Sequence, residues 1–310
     1  MVDDASAAIE ATPEEAGPLP SANYRIAVAL DAPRNTEQLL RTALDVAADH
    51  DGEVLILSVI TKERSSPFSI FADEFIKREF CGDRRAILDR ALELGAGSTV
   101  PIRGRLLVAP DVSRAIDGAV LEFDCDAVLL GWRDRKRSES VFGRNVDRVV
   151  THAPCDVLVE NIGHQADGVD RVLLPVGKGP NTTLAAEVAR AIALANDAVI
   201  DVCRLIDSDA TDHDREQAHE RVRAVVETIG ASVPVTERVE TTDSVTDLLR
   251  QQTDEHDVTV LGATDRTWTQ RLVVGPTPEQ VAQNADSTVI IARRSTRLSS
   301  RIRYWLRRLA

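Results

Sequence analysis

The sequence predicts an α/β protein of two tandem domains, each with a five-stranded parallel sheet of Rossmann-like topology. Three observations lead to this fold class. Short apolar runs alternate with segments of helical periodicity, which is the order typical of a parallel sheet covered by helices. The segment 122–160 recurs at 255–293, with Gly131 matching Gly262 and Gly143 matching Gly275. The chain of 310 residues also has room for two domains of about 140 residues each.

The first domain starts with an apolar strand that ends at Asp31. The next strand is apolar on both faces, as expected for a central strand of a parallel sheet. The strands of this half are predicted at 24–30, 53–60, 100–108, 127–130 and 156–159. Its helices are predicted at 37–49, 87–94, 113–123 and from Gly143 to Pro154.

The second domain repeats this order. Its strands are predicted at 171–176, 198–205, 234–240, 257–262 and 287–292, and its helices at 182–195, 213–230, 244–255 and after Gly275. The whole chain then divides into a disordered acidic tail (1–22), a first domain (23–162), a linker (163–169), a second domain (170–294) and a basic amphipathic helix (295–310).

One segment of the first domain, residues 61–83, has no counterpart in the second. It contains four of the six phenylalanines of the chain, Phe68, Phe71, Phe75 and Phe80. The first three follow helical spacing. Two interpretations are open: a helix that packs its apolar face on its own domain, or a lid or docking face for a partner.

The composition excludes some classes of protein. A net charge of −13 argues against general binding of nucleic acid. Acidic residues abound while only four lysines occur, a composition that resembles the proteins of salt-loving archaea. No apolar run approaches the length of a membrane span, and the N-terminus lacks a signal-peptide pattern, so we expect a cytoplasmic protein.

The cysteines and histidines do not suggest a metal site. Cys125, Cys155 and Cys203 lie in or beside apolar strands and are predicted to be small core residues. The closest histidine pair, His213 and His219, has no further ligand at a suitable spacing. The sequence therefore predicts no metal.

With these elements and loops described, the chain resembles a tandem universal stress protein. The resemblance covers about 24–160 and 170–294 and implies the α/β fold described above. Nucleotide-binding members of that family carry Gly-x2-Gly-x9-Gly-(Ser/Thr) after the fourth strand and an Asp after the first. Glycine there lets backbone N–H groups approach phosphate without a Cβ in the way.

The first domain departs from this pattern. It reads Gly131-x2-Asp134-x8-Gly143-Arg144, so an acid replaces the middle glycine and an arginine the hydroxyl residue. It keeps Asp31, and basic residues crowd the loop. A guanidinium cluster can bind phosphate without a glycine cradle, although a solvated basic loop is the alternative. The residues predicted to bind ATP or another adenine nucleotide are Asp31, Gly131, Arg133, Gly143, Arg144 and Asn145.

The second domain departs further. It reads Gly262-x2-Asp265-x9-Gly275-Pro276, and Gly177 occupies the position of Asp31. Proline has no N–H to donate to a phosphate. We therefore expect no nucleotide in the second domain.

The C-terminal segment 293–310 carries seven arginines and no acid. Its apolar residues, Leu298, Ile302, Trp305, Leu306 and Leu309, fall on one helical face. This pattern is typical of a helix that lies on an anionic membrane or on an acidic partner, and a helix folded on the protein's own acidic surface is the alternative.

The sequence contains no nucleophile–base pair, paired carboxylates or metal cluster, so it does not predict an enzyme. Our first interpretation is a non-catalytic stress-response regulator, an intramolecular pseudo-dimer joined through its closing strands, that binds an unknown protein partner. A homodimer is a further option. The first alternative is a peripheral regulatory subunit that docks on a membrane transporter or anionic membrane through its C-terminal helix. The second is a weak ATPase.

Overall fold

A computed structural model of the protein describes residues 19, 21–62, 82–132, 144–161, 168–177, 179–263, 281, 285 and 287–295. Several predicted features lie outside these residues. They are the N-terminal tail, the phenylalanine-rich segment 63–81, the glycine loops after Trp132 and Ala263, most of the linker, and the C-terminal helix. The described residues fall into two compact units, one up to Leu130 and one from Gly131 onward.

The first unit holds four parallel strands in the order β3-β2-β1-β4. The strands are β1 (Arg25–Ala29), β2 (Glu53–Thr61), β3 (Ile102–Ala109) and β4 (Ala127–Trp132), which runs on past the unit's last residue. The helices are α1 (Thr36–Asp49), α2 (Gly82–Gly95) and α3 (Val112–Glu122). Side chains on both faces of β1 and β2 are buried up to the carboxyl ends of the two strands, because a parallel sheet is covered by helices on each side.

The second unit holds six strands in the order β5-β10-β9-β6-β7-β8. The strands are β5 (Asp156–Asn161), β6 (Arg171–Pro175), β7 (Val199–Asp207), β8 (Val235–Thr242), β9 (Val258–Gly262) and β10 (Thr288–Arg293). The helices are α4 (Arg144–His152), α5 (Thr182–Asn196), α6 (Asp212–Ile229) and α7 (Val245–Asp254). Side-chain caps start two of them: Thr211 with Asp214 at α6, and Ser244 at α7.

The predicted fold class is confirmed, and the strands alternate with helices in the expected order. Most ends agree within two residues. Helix α2 differs, since it begins five residues before the predicted residue 87. Its first turn, Gly82 to Arg85, is polar and carries no apolar periodicity, so the pattern could not mark the start.

The predicted pairing of the two closing strands is present. Strands β5 and β10 run antiparallel, with Val159 opposite Ile291 and Leu158 opposite Ala292. The Asn161 side chain extends the pairing, since its Oδ1 accepts from the Val289 N–H at 2.6 Å and its Nδ2 donates to the Ser287 carbonyl at 3.1 Å. The last strand of the first sequence repeat is thus part of the second unit, whereas the predicted domain boundaries stay a prediction.

Candidate functional site

The carboxyl end of β1 is the place where the strand order of the first unit reverses. The chain passes from β1 to β2 and β3 on one side, and then returns to β4 on the other. Ala29 at the end of β1 lies between Leu57 and Leu130 of its neighbours. In open parallel sheets ligands bind in the crevice at such a switch point. The topology therefore favours a small-molecule site at the end of β1.

Asp31 lies at this switch point, two residues beyond β1, and is exposed. Its Oδ1 accepts a long hydrogen bond of 3.4 Å from Nδ2 of Asn35. Arg84 Nη1 donates to its backbone carbonyl at 2.9 Å. The carboxylate is thus available to accept further hydrogen bonds, as recognition of a ligand hydroxyl or amine requires.

Helix α1 begins directly behind this carboxylate. Its N-cap residue Asn35 is buried and its side chain makes no cap, while a preceding 3₁₀ turn (Pro33–Asn35) binds the N–H groups of Asn35 and Thr36. Within the described residues, Asn35 Oδ1 has no hydrogen-bond partner. A helix N-terminus next to an exposed carboxylate can hold both an anionic and a hydroxyl-bearing part of one ligand.

The other predicted site residues lie in the second unit or outside the described residues. Gly131 is in β4 and half-buried. Arg133 and Gly143 lie outside the described residues. Arg144 is the first residue of α4, with its side chain undescribed, and Asn145 follows it and is exposed. Their role in binding stays a prediction.

The second unit shows a structural reason for the glycine at the end of β9, Gly262. A Cβ added to Gly262 would lie 3.0 Å from both the carbonyl carbon of Asn181 and the backbone nitrogen of Thr182. The end of β9 therefore approaches the start of α5 so closely that a side chain would collide with main chain. Gly262 is explained by packing, without any ligand.

Asn181, which the sequence analysis did not single out, joins three elements. Its Nδ2 donates to the Ala263 carbonyl at 2.6 Å, and its Oδ1 accepts from the Arg294 N–H at 2.8 Å. It thus links the start of α5 to the ends of β9 and β10. The available sequence signal was the Asn-Thr pair at 181–182, which repeats the pair at 35–36.

The switch point of the second unit lacks the carboxylate. Gly177 stands at the position of Asp31, and the carbonyl of Val176 beside it accepts from Arg204 Nη1 at 2.7 Å. Burial, and secondarily the charge of Arg221, lower the pKa of Arg204. A partly desolvated guanidinium thus lies where the first unit offers an exposed acid.

A cluster of buried charge in each unit was also missed. In the second unit Asp201, 1% exposed, contacts His256, Arg171 and Arg238. In the first unit two arginines contact Glu53, 5% exposed. The signal was present at 198–203, where a single acid interrupts an otherwise apolar run.

The thiols behave as core residues. Cys125, Cys155 and Cys203 are buried, as predicted, and none of these three forms a disulfide. Burial raises the pKa of Cys125 and of Cys203 to about 12. Neither thiol is therefore a nucleophile at neutral pH.

Two further searches cover the described part of the chain. There, no group of three or more His, Cys, Asp or Glu side chains could hold a metal ion. None of the helices described has the length and apolar character that a membrane span needs.

Comparison with known proteins gives a family match over most of the chain. A family model described as the universal stress protein family matches residues 23–160 and 168–293. The Na+/H+ antiporter NhaS5 of Synechocystis sp. is 23% identical over 196 residues, which are 61% of this chain and 27% of the antiporter. The chain therefore spans only about a quarter of that relative.

Two solved structures share the fold. A universal stress protein from Archaeoglobus fulgidus is 15% identical, with a TM-score of 0.57 over 88% of this chain and 97% of its own. The cytoplasmic domain of a prokaryotic cation chloride cotransporter is 13% identical, with a TM-score of 0.52 over 88% and 96%. At these identities the likeness shows the fold alone.

Proposed function

The chain belongs to the universal stress protein family, and from that premise we propose that it is a stress-response regulator that acts by binding and not by catalysis. In this proposal one adenine nucleotide binds per chain, in the first domain, and sets the affinity for a protein partner. The second domain serves as a structural and partner-binding module.

The observation that carries this proposal is the difference between the two switch points. The first has the exposed Asp31 in front of the start of α1. The second has Gly177 in its place, and Arg204 donates to the neighbouring carbonyl. At the residue that follows the first strand of each half, a ribose or adenine group finds a carboxylate acceptor in the first half and a glycine in the second.

The test is calorimetric titration of ATP into the full-length protein in high-potassium buffer. We expect one site per chain, and an affinity at least about tenfold weaker for Asp31→Ala, because a ligand hydrogen bond to a charged group is lost. Asp89→Ala is the matched control, since Asp89 is an exposed acid on α2 whose Oδ1 lies 3.8 Å from Nε of Arg85. Its affinity should equal that of the wild type.

Three outcomes would contradict the proposal. Two sites per chain would show that the second domain also binds. The absence of heat at millimolar ATP would show that neither does. Release of inorganic phosphate at a rate that falls in Asp31→Ala would show a weak ATPase in place of a binding protein.

A second candidate function is docking on a membrane transporter. The relative NhaS5 is an Na+/H+ antiporter, and the cytoplasmic domain of a cation chloride cotransporter has the same fold. Ser295, just before the arginine-rich segment, is held in place by two hydrogen bonds. Its N–H donates to Asp156 at 2.7 Å, and its Oγ donates to the Pro154 carbonyl at 2.9 Å. Segment 296–310 would then supply the contact with the membrane.

Sedimentation with vesicles tests this candidate. We expect the protein to pellet with phosphatidylglycerol vesicles and not with phosphatidylcholine vesicles, because each arginine near an anionic surface contributes about 1 kcal/mol. Deleting 296–310 should abolish pelleting. The double variant Trp305→Ser, Leu306→Ser keeps every arginine and should reduce binding about tenfold or more by removing apolar burial. Pelleting that is unchanged by the deletion would refute the membrane contact.

A further inference from the structure

His256 is a buried histidine whose two ring nitrogens both face acceptors. It lies between α7 and β9 and is 5% exposed. Nδ1 lies 2.6 Å from the carbonyl oxygen of Gln252, in the last turn of α7, and Nε2 lies 2.8 Å from Oδ2 of Asp201 on β7. A carbonyl and an ionised carboxylate can only accept, so each contact requires an N–H on the ring. Both contacts exist together only in the doubly protonated imidazolium.

Asp201 remains an acceptor in the neutral pH range. Burial alone would raise the pKa of this carboxyl, but hydrogen bonds from His256 and Arg171 and the charge of Arg238 hold it below its usual value. The carbonyl of Gln252 belongs to a helix C-terminus, which also favours a cation. The two partners of the ring therefore both stabilise its charged form.

The surrounding charges oppose that form. Arg171 on β6 and Arg238 on β8 also contact Asp201, and Arg238 lies 3.8 Å from Glu240. Among these directly contacting groups two arginines face two acids, so within this cluster the imidazolium adds one positive charge. The remaining ionisable groups nearby are Cys203 on β7, Asp257 beside the ring, and Asp254 and Glu255 at the end of α7. A ring held by two acceptors but facing two guanidiniums is placed to exchange its proton as the pH changes.

The first unit provides an internal comparison. Glu53 on β2 lies between Arg25 and Arg103, with Nε–oxygen distances of 2.5 and 3.2 Å. Cys125 stands 131 residues before His256, at the corresponding place before the fourth strand. Both halves thus place a buried carboxylate between two arginines, and the second alone adds a histidine. The ion cluster can be built without the ring, which indicates a separate role for it.

We propose that His256 is a proton-controlled latch on α7. At low pH the imidazolium joins the last turn of α7 to β7. When the pH rises, the ring loses one proton to solvent, a nitrogen lone pair faces one of the two acceptors, and that contact breaks. The change stays local, because the Thr253 carbonyl accepts a hydrogen bond of 2.8 Å from Ser287 Oγ that does not involve the ring.

The released turn belongs to a helix that forms a surface groove. This groove, of about 780 Å³, runs along α7 and has acidic walls. Its acids are Asp243, Asp247, Asp254 and Glu255. Loosening the last turn moves the last two of these, so the shape of this surface depends on the protonation of His256.

Nuclear magnetic resonance of the full-length wild type tests the latch directly. The ¹⁵N signals of the His256 ring are followed from pH 5.5 to 8.5, together with amide exchange of residues 253–257. We expect two protonated ring nitrogens at the low end. We also expect the amide protection factors, which are corrected for intrinsic exchange, to fall about tenfold or more as the ring loses its proton.

Variants separate the latch from general effects of pH. In His256→Gln the side-chain amide can donate to only one of the two acceptors, the Gln252 carbonyl or the Asp201 carboxylate, and it does not titrate. The fall of the amide protection factors with pH should therefore vanish. His219→Gln removes an exposed histidine of α6 and should retain the step. A ring with one unprotonated nitrogen at pH 5.5, or protection that is unchanged when the ring titrates, would overturn the proposal. Both results come from the wild type, so they decide the question even if His256→Gln does not fold.

Discussion

Asp201 is a buried acid of the second unit that has three basic partners. Its Oδ2 lies within hydrogen-bond distance of Arg171, Arg238 and His256, while 1% of the residue is exposed. Removing the shared acid leaves the buried His256 and two partly exposed arginines without their counter-charge, which is more costly than losing a surface pair. The fold therefore depends on the ionised form of this carboxylate.

We expect Asp201→Asn to lower the free energy of unfolding by about 3 kcal/mol at pH 7. The pKa of Asp201 is lower in the folded state than the usual value of about 3.9. Its contribution is therefore full above that pH and is lost as the pH falls below it. Urea unfolding from pH 7 to 2 should show wild type and variant converging at the acid end. A difference that is equal at every pH would contradict the assigned role, and Asp89→Asn, at an exposed site, should stay within about 0.5 kcal/mol of the wild type.

At the scale of the elements, local patterns in the sequence predict most of the helices and strands. They do not predict contacts between residues that are distant in the sequence. Apolar runs such as 53–60 predict buried strands because neighbouring residues share one environment. The resemblance to a known family predicts the pairing of β5 with β10. The bridge made by Asn181 was missed, because its two partners, Ala263 and Arg294, lie 82 and 113 positions further along the chain. Periodicity carries no information at that range, and the same holds for the acid–arginine clusters.

Gly262→Ala tests the close approach of β9 to α5. The new Cβ would meet main-chain atoms of Asn181 and Thr182 at 3.0 Å, so we expect a loss of about 1–3 kcal/mol from overpacking. Gly118→Ala, in the middle of α3 with nothing within 4 Å, is the matched control and should stabilise by about 0.5–1 kcal/mol. Thermal unfolding of the two variants measures both. Equal stability of Gly262→Ala and wild type would mean that the glycine is there for another reason.

At the scale of the whole molecule, buried thiols report on both units. Cys125 belongs to the first unit, and Cys155 and Cys203 to the second. All three are buried, and a pKa of about 12 leaves the thiol of Cys125 or Cys203 with roughly one thiolate in ten thousand at pH 8. Each thiol can therefore react with a disulfide reagent only when its surroundings open.

The Cys81→Ser variant keeps three cysteines. In the time that the denatured variant needs to react at all three thiols, we expect fewer than one thiol per native chain to react. Mass spectrometry of samples labelled at increasing urea then shows which cysteines open together. Rapid reaction of Cys125 or Cys203 without denaturant would contradict their burial. Cys155 lies next to β5, so its labelling can be compared with that of Cys203 on β7 in the same unit.

The antiparallel pairing of β5 with β10 has a consequence for assembly. Both strands belong to one polypeptide, and β10 is bonded to β5 on one side and β9 on the other. Association of two ends of one chain proceeds at an effective concentration on the order of millimolar, whatever the protein concentration outside. Dilution therefore does not separate the pair, and β10 offers no vacant edge to a second copy of the chain.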